Sequence, residues 1–303
     1  MIIVAINVVF SILSVIIGVL YFTMLERKIM SYIQIRKGPN KVGVMGLFTP
    51  FADAIKLVFK HLNLILNVNE LLYYFSPLFT TFFLFLIWVL FPFIGNNNIF
   101  YYGYLIFIAI SSVNVYSILC SGWGSNSKYS LLGSIRGLAQ IISYEILFVF
   151  LSFFPLSLQG SYNFYSFLEY TCFYGLWLLP VIIFWIISSV AETNRSPFDF
   201  SEGESELVSG FNTEYGSLEF AFLFLGEYGS IIFICNLGIL LFFSFSFNFF
   251  NIFLGLILAL SFIWFRSSLP RYRYDLLMEL AWCYGLIFVT FITFLILWIP
   301  ILI

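Results

Sequence analysis

Seven ionisable residues crowd the 23 positions from Glu192 to Glu214: Glu192, Arg195, Asp199, Glu202, Glu204, Glu206 and Glu214. Charge is scarce elsewhere, with Asp, Glu, Lys and Arg making up 9% of 303 residues. All but Arg195 are carboxylates. Neighbouring negative charges raise one another's proton affinity, so such acids titrate as a coupled set. That arrangement suits the uptake and hand-over of protons. Phe198, Phe200, Leu207, Val208 and Phe211 are interleaved with the acids, and a solvated acidic loop has no use for so many apolar side chains.

Two more acids lie inside apolar runs. Glu145 is nine residues past Arg136, about 13 Å into its run at about 1.5 Å per residue. Glu227 is thirteen residues past Glu214, near the middle of another run. An acid at such depth costs about 2.5–3.5 kcal/mol on insertion scales and marks an ion or proton path by default. Tyr144 and Tyr228 beside them offer hydroxyls for a relay.

The elements that hold these groups follow from composition. The chain is 62% apolar and 22% aromatic, with mean hydropathy +1.03. A soluble domain of this size cannot hide that much apolar surface, so the expected class is an all-α polytopic membrane protein, a single membrane domain over residues 1–303. Apolar runs of about 18 residues or more predict eight transmembrane helices, near 2–25, 72–94, 99–120, 137–158, 174–191, 216–242, 248–265 and 280–302. All 13 Lys and Arg then fall in the first, third, fifth and seventh connections. The positive-inside rule puts those connections on the cytoplasmic or matrix face and both termini opposite. No basic residue precedes Arg27, so the first span itself is expected to be the membrane entry.

In the first inner connection, Thr49-Pro50 reads as N-cap and first residue of a helix. Asp53, Lys56 and Lys60 share its polar face, beside Phe51, Ile55, Val58 and Phe59, as in an amphipathic helix at the membrane surface. In the fifth connection, Ser201-x-x-Glu204 has the form of a capping box. The seventh alternates cations with aromatics from Arg266 to Asp275, a pattern for a protein interface or lipid headgroups. The four cysteines, Cys120, Cys172, Cys235 and Cys283, are far apart and there is one histidine, His61. The chain therefore lacks a familiar iron–sulfur or bis-histidine haem ligand set, and any electrons it serves are expected from a partner. No metal site or nucleic-acid-binding pattern stands out.

Several motifs together resemble one family: Glu26-Arg-Lys28, Arg36-Lys-Gly-Pro-Asn40, Pro50-Phe-Ala-Asp53-Ala-Ile-Lys56, Ser143-Tyr-Glu145 and Ala191-Glu-Thr-Asn-Arg195-x-Pro-Phe-Asp199. Glu202-Gly-Glu-Ser-Glu-Leu-Val-Ser-Gly-Phe211, Glu227-Tyr228 and Pro270-Arg-x-Arg-Tyr-Asp275 extend the match over essentially the whole chain. It resembles subunit 1 of mitochondrial NADH dehydrogenase, the complex I membrane subunit next to the peripheral arm. The resemblance implies a core subunit of proton-pumping NADH:ubiquinone oxidoreductase, inactive alone and without a catalytic residue or redox cofactor of its own. It would be a multi-pass protein of the mitochondrial inner membrane, with its termini in the intermembrane space.

The resemblance further implies that Glu26, Arg27, Arg36, Asp53, Arg195, Asp199, Arg271 and Arg273 belong to the ubiquinone chamber and its entrance. Glu145, Glu192, Glu202, Glu204, Glu206, Glu214 and Glu227 would belong to the proton relay. Ubiquinone is the implied substrate. NADH, FMN and iron–sulfur clusters would sit in partner subunits, with peripheral-arm subunits, other membrane-arm subunits and lipids as neighbours. The chain departs from the family pattern at His61, at Glu219 and at Cys283. A quinone-independent subunit of a related hydrogenase-type complex and a secondary proton or cation transporter are the competing readings. The latter commonly carries internal repeats, and none is visible here. A structural anchor for a peripheral complex would explain the basic aromatic connection but leave Glu145 and Glu227 without a role.

Overall fold

The computed structural model describes residues 2–61, 68–92, 100–169, 175, 178–201, 203, 207, 210–243 and 249–302. Among them the regular elements are helices: α1 Ile2–Ile33, α2 Thr49–Phe59, α3 Glu70–Leu90, α4 Gly103–Gly124, α5 Lys128–Gln159 and α6 Phe164–Glu169. There follow α7 Leu179–Glu192, α8 Ser217–Phe242, α9 Phe249–Ser268, α10 Tyr274–Glu279 and α11 Leu286–Leu302, with a π-helical turn, Leu280–Gly285, joining the last two.

Seven of the described helices are long and apolar enough to cross a membrane. The expected fifth span is represented by α7, which has 14 residues. At about 1.5 Å per residue it covers about 21 Å, short of the roughly 30 Å hydrocarbon layer. Its start at Leu179 has a local cause: Pro180 stands in the first turn, where its missing N–H costs nothing.

Two helices run further into the polar face than hydropathy alone predicts. α1 carries on past the expected limit near 25 to Ile33, so Glu26, Arg27 and Lys28 are helical rather than part of a connection. Charges end an apolar window but do not break a helix, and neither Gly nor Pro occurs between Gly18 and Gly38. Likewise α5 begins at Lys128, where the Ser127 side chain accepts from the Ser130 N–H (3.4 Å). It ends at Gly160, whose φ of 72° closes the helix in the left-handed conformation. Lys128 and Arg136 therefore stand on α5, and Arg266 stands in the last turn of α9.

In α2, Thr49 lies inside the helix and Phe48 takes the cap position, without a side-chain cap bond. Thr49 instead donates to the Gly46 carbonyl (2.7 Å). Phe51 packs edge-on against Tyr21, while Ile55 and Phe59 point outward, 57% and 82% exposed. The capping box expected at Ser201 includes Glu204, which lies outside the described residues.

α8 is central and packs on α1, α3 and α9, while α5 packs on α4 and α7. Their shared core holds Tyr104, Phe107, Phe148, Trp185, Phe233 and Phe242. One tight approach is at Gly238: a Cβ there would lie 2.4 Å from the Trp185 ring. Small residues at helix contacts are how membrane helices gain packing contacts when apolar burial offers little between lipid and protein.

Candidate functional site

Glu26 is the centre of the arrangement. It lies on the extended part of α1 and is 4% exposed. The Tyr228 hydroxyl on α8 donates to its Oε2 (2.7 Å), and Arg266 on α9 donates to its Oε1. Arg195, from the connection after α7, places Nη1 3.6 Å from the same oxygen. The Arg195 guanidinium also lies over the Tyr228 ring, 4.2 Å from its centroid, a cation–π geometry. A buried carboxylate is tolerated only with such pairing and hydrogen bonding. For Arg195, burial alone works against the charge. Tyr228, Glu26 and Glu227 outweigh it and raise its pKa above the ordinary arginine value, so it stays cationic. Arg195 thus interacts electrostatically with an acid of each implied set, Glu26 and Glu227.

The remaining implied chamber residues form separate pairs. Buried Asp199 faces Arg271 (Nη2 to Oδ2, 3.8 Å). Arg27 bonds Asp53 (2.5 Å), tying α1 to α2 at a half-exposed position. Arg36 donates to Gln34 (2.8 Å), and Arg273 pairs with Asp275 (3.0 Å), both exposed. Exposed pairs of this kind contribute about 0–1 kcal/mol, so they set charge and shape at the surface rather than hold the fold. The aromatics expected to be sheltered are buried: Phe198 at 6%, Phe200 at 9% and Phe211 at 2%. Phe198 sits between Tyr144 and Tyr272 (ring centroids 6.3 and 5.5 Å away), and the Tyr272 N–H donates to the Pro197 carbonyl (3.0 Å).

The deep acids gather around a cavity of about 100 Å³. Glu192 and Glu227 line it together with Thr80, Ser111, Asn114 and Ser230. Ser111 donates to Glu145 (3.3 Å), and Glu145 and Glu192 are close enough for their charges to interact. Glu192 Oε2 is buried with no hydrogen-bond partner among the described residues. The cavity is mostly apolar, but beside its polar side chains there is room for water to bridge such groups. Glu214 is half-buried and does not line the cavity; its carbonyl accepts from the Tyr73 hydroxyl (2.9 Å). Glu202, Glu204 and Glu206 lie outside the described residues.

Both relay hydroxyls expected beside the deep acids turn elsewhere. Tyr144 donates to the Leu277 carbonyl (2.9 Å), and Tyr228 donates to Glu26 rather than to its neighbour Glu227. Sequence reasoning also missed Arg266 as the partner of Glu26, the hydroxyl lining of the cavity, and Gln140. The Gln140 amide, fully buried on α5, donates to the carbonyls of Ala191 (2.8 Å) and Phe198 (2.7 Å). An amide inside an apolar run was the available signal. Of the three departures, Glu219 is 7% exposed in the first turn of α8, while His61 and Cys283 are exposed. Among the described residues Cys120, Cys235 and Cys283 are free thiols, and Cys172 lies outside them. Among the described residues no group of three or more His, Cys, Asp or Glu is arranged to hold a metal.

A family model described as NADH dehydrogenase matches residues 6–298. The chain is 48% identical over 278 residues to NADH-ubiquinone oxidoreductase chain 1 of Aedes aegypti, covering 89% of this chain and 88% of that protein. The protein of the same name from Locusta migratoria is 46% identical over 279 residues (91% and 89%). That of Chondrus crispus is 41% identical over 295 residues (91% and 90%).

Proposed function

The chain belongs to the NADH dehydrogenase family, and from that premise we propose that it forms the membrane wall of the ubiquinone chamber in proton-pumping NADH–ubiquinone oxidoreductase. It works as a multi-pass subunit of the mitochondrial inner membrane and is not active alone. The peripheral subunits carry NADH, FMN and the iron–sulfur clusters, and the terminal cluster delivers electrons to ubiquinone. The relatives' names join NADH to ubiquinone, which favours this reading over a hydrogenase-type subunit or a secondary transporter.

The observation that carries the reading is the placement of Arg195, 3.6 Å from the Glu26 carboxylate and stacked over Tyr228, the chain neighbour of Glu227. Reduction of a quinone to its quinol consumes electrons and protons together. A quinone species gaining negative charge near Arg195 competes with the Glu26 carboxylate for the guanidinium. Groups that can take up a proton then meet a different field, and so a different proton affinity, in the two states. Only such a difference in affinity between states moves protons. Glu227 and Glu192, which line the cavity, and Glu145, bonded to Ser111 of its lining, pass the proton on toward the rest of the membrane arm. Glu202, Glu204, Glu206 and Glu214 feed that group from the connection, and Arg27, Arg36, Asp53, Asp199, Arg271 and Arg273 border the quinone entrance.

A photoreactive ubiquinone analogue tests the chamber assignment. In the assembled enzyme we expect labelled peptides of this chain around Asp53 and around Arg195–Asp199, with competition by excess ubiquinone. Labelling confined to other subunits overturns it.

A further inference from the structure

Four residues of α5 lie on one stripe: Gly133, Gly137, Gln140 and Tyr144, at spacings of four, three and four. All four meet the chain that follows α7. A Cβ at Gly133 would lie 3.0 Å from Gly210 Cα and from the Ser201 carbonyl oxygen; one at Gly137 would lie 2.9 Å from Ser201 Cβ. The helix surface is therefore stripped to backbone where both described ends of the acidic connection, residues 201 and 210, rest on it. One turn further, the two amide hydrogens of Gln140 reach the carbonyls of Ala191 and Phe198. Tyr144 then stacks on Phe198.

The Gln140 bonds have a particular shape. Ala191 is in the last turn of α7, where its carbonyl also accepts from the Asn194 N–H (3.3 Å), and the Phe198 carbonyl, in irregular backbone, also accepts from the Phe200 N–H (3.1 Å). Gln140, 0% exposed, adds a side-chain donor to each of the two and so ties them to α5. One amide with two N–H groups is the smallest neutral side chain that serves two acceptors at once. The bonds close the segment 191–198 at its base, and that segment carries Glu192 and Arg195. Its other ties include Arg195 N–H to Val190 O (3.3 Å), Thr193 N–H to Ser189 O (3.2 Å) and Tyr272 N–H to Pro197 O (3.0 Å), besides the contacts of the Arg195 side chain with Glu26 and Tyr228.

We propose that this face of α5, with Gln140 as its key group, is a cradle that positions the Arg195–Asp199 loop for quinone binding. Gln140 touches neither quinone nor a relay proton; it is a positioning residue. The proposal rests on the chamber reading above for its link to quinone, but the holding of the loop does not. A loop released from its base visits the binding-competent arrangement for a smaller fraction of time, and apparent affinity falls by that fraction.

The test uses the assembled enzyme with Gln140→Leu, which has no donor; Gln140→Glu, whose protonated form has one; and Gly137→Ala, which pushes on Ser201. Gln140→Leu is expected to raise the apparent KM for a short-chain ubiquinone by about tenfold, a small part of what an ångström of misplacement costs elsewhere. Saturating kcat changes less than about twofold when affinity alone falls. NADH oxidation by an artificial acceptor at the peripheral arm stays unchanged, and amide exchange of peptides covering 191–203 rises. Gln140→Glu is expected to fall between Gln140→Leu and the unaltered protein, a graded rescue that loss of packing alone does not produce. Unaltered KM and unaltered exchange in assembled Gln140→Leu overturn the proposal. If that variant does not assemble, the same null result in both Gln140→Glu and Gly137→Ala overturns it. Raised exchange with unaltered KM leaves the cradle standing and sinks the chamber assignment of the loop.

Discussion

At the scale of single residues, one carboxylate gathers partners from across the chain. Arg266 and Tyr228 lie 240 and 202 positions from Glu26, and Arg195 comes from a third segment. Removing one partner of such a buried network costs about 3–5 kcal/mol in typical cases, so Glu26 is a structural linchpin as well as a neighbour of quinone in the proposed reading. Glu227 is the more selective probe of coupling. Glu227→Gln keeps the shape and removes the transferable proton. We expect the enzyme to assemble with quinone-linked proton pumping lost and electron transfer slowed. The check is proton uptake against NADH oxidised in reconstituted vesicles. The normal ratio in a correctly assembled variant reduces Glu227 to a hydrogen-bonding role. The acids were legible because charge in an apolar run is expensive. Their partners were not, because a side chain's nearest neighbour in space carries no mark in the local sequence.

At the scale of elements, hydropathy located the helices but misjudged several ends. α1 and α5 each run several residues beyond the expected boundary because a charge stops an apolar window without interrupting backbone hydrogen bonding. Helix ends follow caps and breakers instead, as Ser127 and Gly160 do for α5. Gly238 of α8 lies directly under the Trp185 ring of α7. Gly238→Ala is expected to destabilise the membrane domain by about 1–3 kcal/mol through overpacking. Gly18→Ala, where a Cβ meets nothing within 4 Å, serves as the matched control and is expected to be neutral. Thermal inactivation of the assembled enzyme compares the two; equal midpoints refute the tight contact.

At the scale of the whole molecule, the charge pattern carries the orientation. With α7 counted as a crossing, residues 125–127 and 160–163 lie on opposite faces because α5 separates them. The positive-inside pattern puts Asn126 on the matrix face and Tyr162 on the other. In intact mitoplasts, an impermeant maleimide is expected to label Tyr162→Cys and spare Asn126→Cys, both made in a background lacking the exposed Cys283. The reverse pattern inverts the topology. Seven crossings without α7 would separate the termini, so a tag at each end, read from one side, checks the count.

What the sequence determined by itself was set by cost. Apolar runs must be helical where no water satisfies the backbone, carboxylates at depth stand out because they are expensive to place there, and the spaced motifs around Glu26, Arg195, Glu202 and Glu227 identified the family. What only the tertiary structure decided was pairing: Glu26 with Arg266 and Tyr228, Glu192 with Glu227 around one cavity, Gln140 with two carbonyls of the Arg195 loop. Periodicity assigns a residue to a face of its own helix. Which face of which other helix it meets depends on how all the small and large side chains pack together, and that is a property of the assembled bundle.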